Sequence, residues 1–467
     1  MLLTVPGAGA VEVELPYRHP IQSRSVALEA HGATVLIDCV SESEPTLLIR
    51  PADPEARNSI DLALSEDSEV LSVTQIDSSA ERRSITMEFA LPADFPLLVR
   101  GTDNVVHRNC EIPTGETKVA DQPPGTPVGI EGLSFELDES SIVYMGEGGA
   151  RFSGQNSQIS LQNTTGNHVV STTDGTIHID THRGNIELRT SNVTVSIANL
   201  KGTVAAELSR GSLGLVASNG QVNCNGETIS FNASHHQGSI TASGSNNDIV
   251  IFDSTTSSLR LTGNSNRITI NRGSGNGNAV LDGGSLDLES WTGRFTLQAR
   301  AGADFNLCGI EGDAMAKLSD GAVGRLDRVT GHTRIQIQDA DLELFELKSV
   351  ELTATASFVT SNEVPELIRC EITDGEFRYS SSTIRGNPEI RLQQAAEAFF
   401  EIPTPCRIHL QGPGKKNSGH TVRGCDVRLG NSPAQQLKKT RWQNRRPTNL
   451  AFFVSADAKL SVDGFEP

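Results

Sequence analysis

Residues 175–188 read Gly175-Thr-Ile-His-Ile-Asp-Thr-His-Arg-Gly184-Asn-Ile-Glu-Leu, and residues 202–215 read Gly202-Thr-Val-Ala-Ala-Glu-Leu-Ser-Arg-Gly211-Ser-Leu-Gly-Leu. Glycine recurs at Gly166, Gly175, Gly184, Gly202, Gly211, Gly220 and Gly238, all on one nine-residue register, with Val193, Ile229 and Asn247 at the remaining positions. Two and four residues after each register position stand small or apolar side chains, among them Ile177/Ile179, Ile186/Leu188, Val204/Ala206, Leu213/Leu215 and Ile249/Ile251. The first repeat departs from this with His168 and Val170. Alternation over five residues is the signature of a half-buried strand. A glycine just ahead of it opens a positive-φ corner without a Cβ clash.

Five-residue strands separated by four residues are too short for long hairpins. They fit a parallel β-solenoid whose coils stack about 4.8 Å apart. The lane Gly166, Gly184, Gly202, Gly220, Gly238 is unbroken at a spacing of 18, while the intervening lane is mixed. That favours a coil of two nine-residue faces over a coil of three. The register continues less strictly through Leu286/Leu288, Phe305/Leu307, Ile335/Ile337 and Leu342/Leu344. Gly273-Ser-Gly-Asn-Gly277 and the stretch Ala314–Leu326 disturb it and read as bulges or inserted loops. A calcium-binding nonapeptide roll also repeats every nine residues, but it needs Gly-Gly-x-Gly-x-Asp turns, and the turns here do not carry them.

The flanks differ. Residues 1–110 hold eight alternating runs, from Val11–Leu15 to Pro96–Val99, separated by turn signals, which predicts a β-sandwich-like domain able to cover the open first coil. Residues 111–132, with four prolines and four glycines, read as a linker or long loop. The solenoid is expected over 133–395. A C-terminal cap follows over 396–467, with short helices at Ala395–Phe400 and Pro433–Lys439.

Composition agrees with a thin, aliphatic core. Aromatics make up 4% of 467 residues, and the formal charge is −18. That charge is unevenly spread: −11 over residues 1–130, −13 over 131–400 and +6 over 401–467. An acidic body argues against nucleic acid as the main partner. The basic cluster in the cap is Lys438, Lys439, Arg441, Trp442, Arg445 and Arg446. It is a candidate interaction surface that could dock on the chain's own acidic body or meet an acidic partner. The N-terminus lacks the features of a signal peptide, and no apolar run is long enough for a membrane helix. Seven scattered cysteines, with no C-x-x-C, read as reduced thiols in a cytoplasmic protein.

The Gly-x-Ile-x-Ile coils at Gly175, Gly184 and Gly211, led by the segment Ala90–Arg100, resemble the "putative adhesin" β-strand-repeat family of unknown function. Bactofilins and haemagglutinin-type β-helices share those motifs. The resemblance covers roughly residues 10–300 and implies a solenoid architecture. It implies no catalytic residue, cofactor or metal ligand.

A search for chemistry supports the same reading. His235-His236 is an adjacent histidine pair without obvious further ligands. Asp282/Asp287/Glu289 and Asp339/Asp341/Glu343 are the acidic groups a glycan-cleaving β-helix enzyme would use, and alternation places the second set on one outward face. Trp291 and Trp442, the only tryptophans, would have to line its cleft. Walker-type phosphate loops, nucleophile elbows and H-E-x-x-H are missing. The expectation is a non-enzymatic scaffold that binds a protein partner or itself. The alternatives are a carbohydrate-active β-helix enzyme and an acidic nucleic-acid mimic. No cofactor and no small-molecule substrate are expected.

Overall fold

The structure is a computed structural model that describes residues 11–14, 16–39, 44–51, 59–66, 70–75, 85–92, 95–110, 133–403, 406–411, 421–423, 426–429, 448–454 and 457–465. Among these every regular element is a strand. The chain divides into two compact units, Met1–Asn232 and Ala233–Pro467. The expected all-β parallel β-solenoid with 18-residue spacing is the observed fold.

In the first unit, Ala150–Ala198 pairs in parallel with Lys201–Val216, setting Gly184 against Gly202, Ile186 against Val204 and Val195 against Leu213. The inward positions form aliphatic ladders: Ile177, Ile179, Ile186, Leu188, Val195, Ile197, Leu213 and Leu215 are all buried. Each contributes roughly 1.5–3 kcal/mol on full burial.

The two corners of a coil are built differently, which is why the true repeat holds both faces rather than one. At one corner Asp174, Asn192 and Arg210 take left-handed conformations directly before the register position. At the other, Thr181, Asn199 and Ala217 do so three residues before it. The register glycines serve close approach as well as conformation. A Cβ on Gly202, which has φ of +150°, would sit 1.9 Å from the carbonyl oxygen of Gly184 one coil below.

Strands ahead of residue 111 also form faces of the solenoid. Ser25–His31 lies in parallel between Val70–Gln75 and Leu97–Thr102. Thr34–Cys39 lies between Ile85–Leu91 and Val105–Asn109. The chain therefore lays down one coil, makes an excursion outward, and returns on the inner side. Leu97–Thr102 then pairs with Leu133–Asp138, and Val105–Asn109 with Ser141–Gly146. Antiparallel strands finish the outer margin: Ser59–Glu66 and Val11–Glu14 on one face, Thr46–Pro51 and Tyr17–Pro20 on the other. A change of strand direction there breaks the parallel template that another coil would extend.

This interleaving corrects the reading of every cysteine as a reduced thiol. Cys39 and Cys110 are disulfide-bonded, 71 residues apart with a Cα separation of 4.9 Å. The pairing of Thr34 with Val105 carries the same shift along the chain, so the stack brings the two together. Cys224, Cys308 and Cys370 are free.

Three other local expectations change. Gly273–Gly277 is strand rather than loop: Arg267–Asp282 pairs with Ser285–Arg300 without a register shift, while on its other side the register with Asp248–Asn264 slips between Thr256 and Leu259, opposite Gly275 and Gly277, as the expected bulge. The glycines also make room, since a Cβ on Gly273 would fall 2.3 Å from the Trp291 ring and one on Gly277 2.4 Å from Phe295. Ala314–Leu326 is likewise strand, in Ala314–Ser319 and Val323–Val329, on coils one residue longer than the main repeat. Ala395–Phe400 is not helical. Glu397–Pro403 is a strand that buries Ala398, Phe400 and Ile402 at period two and stacks on Glu376–Ser380. Tertiary pairing outweighs the modest helix propensity of this alanine-containing stretch. Interleaving recurs at this end: Thr448–Val454 lies between Glu389–Gln393 and Cys406–Gln411. The expected linker 111–132 and helix Pro433–Lys439 fall outside the described residues.

Candidate functional site

The basic cluster Lys438, Lys439, Arg441, Trp442, Arg445 and Arg446 lies outside the described residues. The other sequence candidates are placed, and most turn out to be ladder contacts. His235 sits at a corner with its side chain 61% exposed, while His236 is fully buried, so the adjacent pair diverges and cannot share a ligand. Trp291 is 1% exposed and its indole Nε1 donates to the Gly275 carbonyl, so it lines no cleft. Asp282 accepts from Arg300, Asp287 from Asn306 and Glu289 from Asn271, each one coil away. No group of three or more His, Cys, Asp or Glu side chains among the described residues is arranged to hold a metal. No helix among them is long and apolar enough to cross a membrane.

Among the described residues Ser349, His332 and Glu351 form a serine–histidine–acid alignment. The Ser349 hydroxyl is 3.2 Å from His332 Nδ1, and Glu351 is 3.8 Å from His332 Nε2. These residues face each other because His332 pairs with Ser349 and Arg334 with Glu351. Glu351 is already engaged by Arg334 at 3.0 Å. The alignment is a product of stacking with a competing cation on the acid, which is a poor orienter for a general base.

The carboxylates of Asp341 and Glu343 do share an outward face, as the sequence implies, and both are exposed. Asp339 does not join them: it occupies the corner with φ of +51°, ahead of inward Ala340. The composition of that face was not legible from the nine-residue register. Strand pairing sets Asp304 against Val323, Val323 against Asp341, and Asp341 against Phe358. The result is one outward column, Asp304–Val323–Asp341–Phe358, in which acid and apolar side chains alternate at each coil. Val323 is 49% and Phe358 37% exposed, two of seven large apolar side chains exposed among the described residues.

Next to this column the Arg378 guanidinium lies over two exposed rings, 5.4 Å from Phe358 and 5.8 Å from Phe399, while its Nε bonds Glu376 at 2.5 Å. Arg325 similarly lies over Phe345 at 5.2 Å and pairs with Asp327. Cation–π contacts of this kind hold both partners in place at about 0.5–1 kcal/mol each on an exposed surface. Asp304, Asp341 and Glu343 have no ion-pair partner among the described residues. The face thus presents ordered apolar side chains beside unneutralised carboxylates. Those features suit it to bind a surface carrying both aliphatic groups and cations.

The first unit holds a different polar cluster, and it is internal. Arg108 points inward, 2% exposed, over the Tyr144 ring at 4.5 Å, and donates to the carbonyls of Met145 and Glu147. His168 packs edge-on to Tyr144 and lies 5.0 Å from His182, whose Nδ1 is bonded with the Thr164 hydroxyl. Burial lowers the Arg108 pKa and lifts the Tyr144 phenol to about 12. It pushes His168 down to about 3, with His182 and Arg108 adding to the effect, and His182 down to about 4. The site is sealed from solvent, so its chemistry concerns stability rather than binding.

No protein-family model matches the chain, and no curated protein does. Among solved structures, the chain is similar to one described as a "putative cell adhesion protein" from Clostridium sporogenes ATCC 15579. The two are 9% identical with a TM-score of 0.21, over 44% of this chain and 99% of that one.

Proposed function

We propose that the chain is a non-enzymatic β-solenoid scaffold that holds a protein partner against the lateral face bearing Asp341, Phe358 and Phe399. The observation that carries this reading is the outward column in which Val323 and Phe358 alternate with Asp304 and Asp341. Exposed apolar side chains on a solenoid cost solubility, and flanking carboxylates offset that cost without filling the apolar surface. Parallel stacking keeps these side chains at fixed spacing, so little ordering entropy remains to be lost on binding.

The test compares wild type with Phe358→Ser/Phe399→Ser as immobilised bait in extract of the native source. The expected result is a protein retained by wild type and lost from the variant. Retention of the same proteins by both would remove the reading.

A carbohydrate-active enzyme is the second reading, favoured by the proximity of exposed Asp341 and Glu343 to Phe345 and Phe358 on one face. Release of reducing ends from a glycan, abolished by Asp341→Asn, would put it first.

A further inference from the structure

The alternating column has a period, and the period selects a kind of partner. Asp304, Val323, Asp341 and Phe358 are stacked one coil apart, so each step is about 4.8 Å and the column runs about 14 Å. An α-helix laid along the coil axis presents side chains at i, i+3, i+7 and i+10 on one face. It rises about 1.5 Å per residue, so those four positions span about 15 Å. An extended strand presents every second residue, about 6.7 Å apart, so four of its side chains span about 20 Å and run out of register. The column matches a helix and not a strand.

Charge sets the order of residues on that helix. Asp304 and Asp341 lack cationic partners within ion-pair distance among the described residues, and so does Glu343, two residues along the strand from Asp341 and in register with Arg325. Val323 and Phe358 alternate with them and are exposed. The neighbouring arginines are already committed: Arg325 to Asp327 and Arg378 to Glu376, each also lying over a phenylalanine ring. They therefore add little repulsion toward an incoming cation.

We propose that this column docks a cationic amphipathic helix of a partner protein, with Lys or Arg at i and i+7 and aliphatic side chains at i+3 and i+10. The proposal rests on the scaffold reading above and narrows it. Each cation meets Asp304 or Asp341, and each aliphatic side chain meets Val323 or Phe358. Beyond Phe358 the column continues with Glu376 and Glu397, and Phe399, two coils on and under the same Arg378, stands in the neighbouring column that holds Glu343.

The probe is a synthetic 14-residue acetylated peptide with Lys at positions 1 and 8, Leu at 4 and 11, and Ala or Gln elsewhere. Its isomer of identical composition places the two Lys and two Leu alternately at positions 1, 3, 5 and 7. Binding to the full chain is read by fluorescence anisotropy and helicity by circular dichroism. The expected result is that the first peptide binds and gains helicity. The isomer should bind about tenfold more weakly or worse, and so should the first peptide on Val323→Ser/Phe358→Ser or on Asp304→Lys/Asp341→Lys. All four positions are exposed, and unchanged thermal melting of the variants checks that they fold. Equal binding of the two peptides, equal binding by wild type and either variant, or no binding of the helical peptide overturns the proposal. Where that happens but Phe358→Ser/Phe399→Ser still loses a captured protein, the scaffold reading stands and only the helix is lost. Where capture is also unchanged, both fall.

Discussion

The imidazoles of His168 and His182 lie 5.0 Å apart, ring centre to ring centre, inside the core of the first unit. Tyr144 and Phe152 border His168, and the Arg108 guanidinium lies over the Tyr144 ring. Both His168 nitrogens are buried without a hydrogen-bond partner. Protonating His168 would place a second cation beside a histidine and near a buried guanidinium.

The first unit should therefore lose stability in acid. In the folded chain His168 and His182 stay neutral down to about 3 and about 4, whereas both take up protons near 6.5 when unfolded. Above that value the pair makes no pH-dependent contribution. As pH falls from about 6.5 toward 4 the unfolded chain binds more protons, so stability declines by up to about 1.4 kcal/mol per pH unit for each histidine. Urea midpoints measured between pH 7 and pH 4 should fall steeply for wild type and less steeply for His168→Leu. Equal slopes would show that the buried imidazole does not govern the acid response.

The solenoid was legible because the inward positions keep their period: Ile186, Val204 and Val222 hold the same place in successive repeats and all are buried. Arg108 was not. Val105-Val-His-Arg-Asn alternates in either phase, and nothing local says that Val106 and Arg108, rather than Val105 and His107, turn inward. The Cys39–Cys110 bond was hidden for a related reason, since the excursion between the two stacked coils destroys any fixed spacing. The outward column was hidden by drift. Its successive steps each shorten by one residue, so a strict nine-residue register scatters Asp304, Val323, Asp341 and Phe358 over different positions. One signal was available and missed: Gly273 and Gly277 stand one coil before Trp291 and Phe295, small beneath large at the repeat spacing.

That pairing gives a second prediction. Trp291 is the largest buried side chain among the described residues, and it occupies the space left by Gly273 and Gly277. Gly273→Ala should destabilise by about 1–3 kcal/mol through overpacking, and Trp291→Ala by about 3–5 kcal/mol through the cavity it leaves. Combining Gly273→Ala with Trp291→Leu should cost less than the sum of the single changes. Additive effects in denaturant melts would mean that the ring and the glycine do not share one space.

The glycine lane predicts a larger local penalty. Gly202 combines a φ of +150° with a carbonyl oxygen 1.9 Å from where its Cβ would stand. Gly202→Ala must push two coils apart, in addition to the strain of that backbone conformation. A loss above about 2 kcal/mol is expected. Ala205→Gly, on an exposed outward position of the same strand, should cost only about 1 kcal/mol. Thermal melts of the two variants, read side by side, separate close packing from general strand weakening.

The disulfide makes the last prediction. Cys39 and Cys110 join the ends of two directly stacked strands, Thr34–Cys39 and Val105–Asn109, across the excursion that builds the outermost coil. Closing a loop of about 70 residues removes chain entropy from the unfolded state, worth up to about 4 kcal/mol in the loop-entropy account. Non-reducing digestion should recover the two cysteines in one linked peptide pair, while Cys224 and Cys370 become alkylated only after unfolding, because both are buried. Cys39→Ser/Cys110→Ser should lower the melting temperature to that of the reduced wild type. Reduction should leave the double variant unchanged. A reductant-sensitive melt in the double variant would place the stabilising bond elsewhere, and identical melting of oxidised and reduced wild type would show that stacking alone holds the interleaved coil.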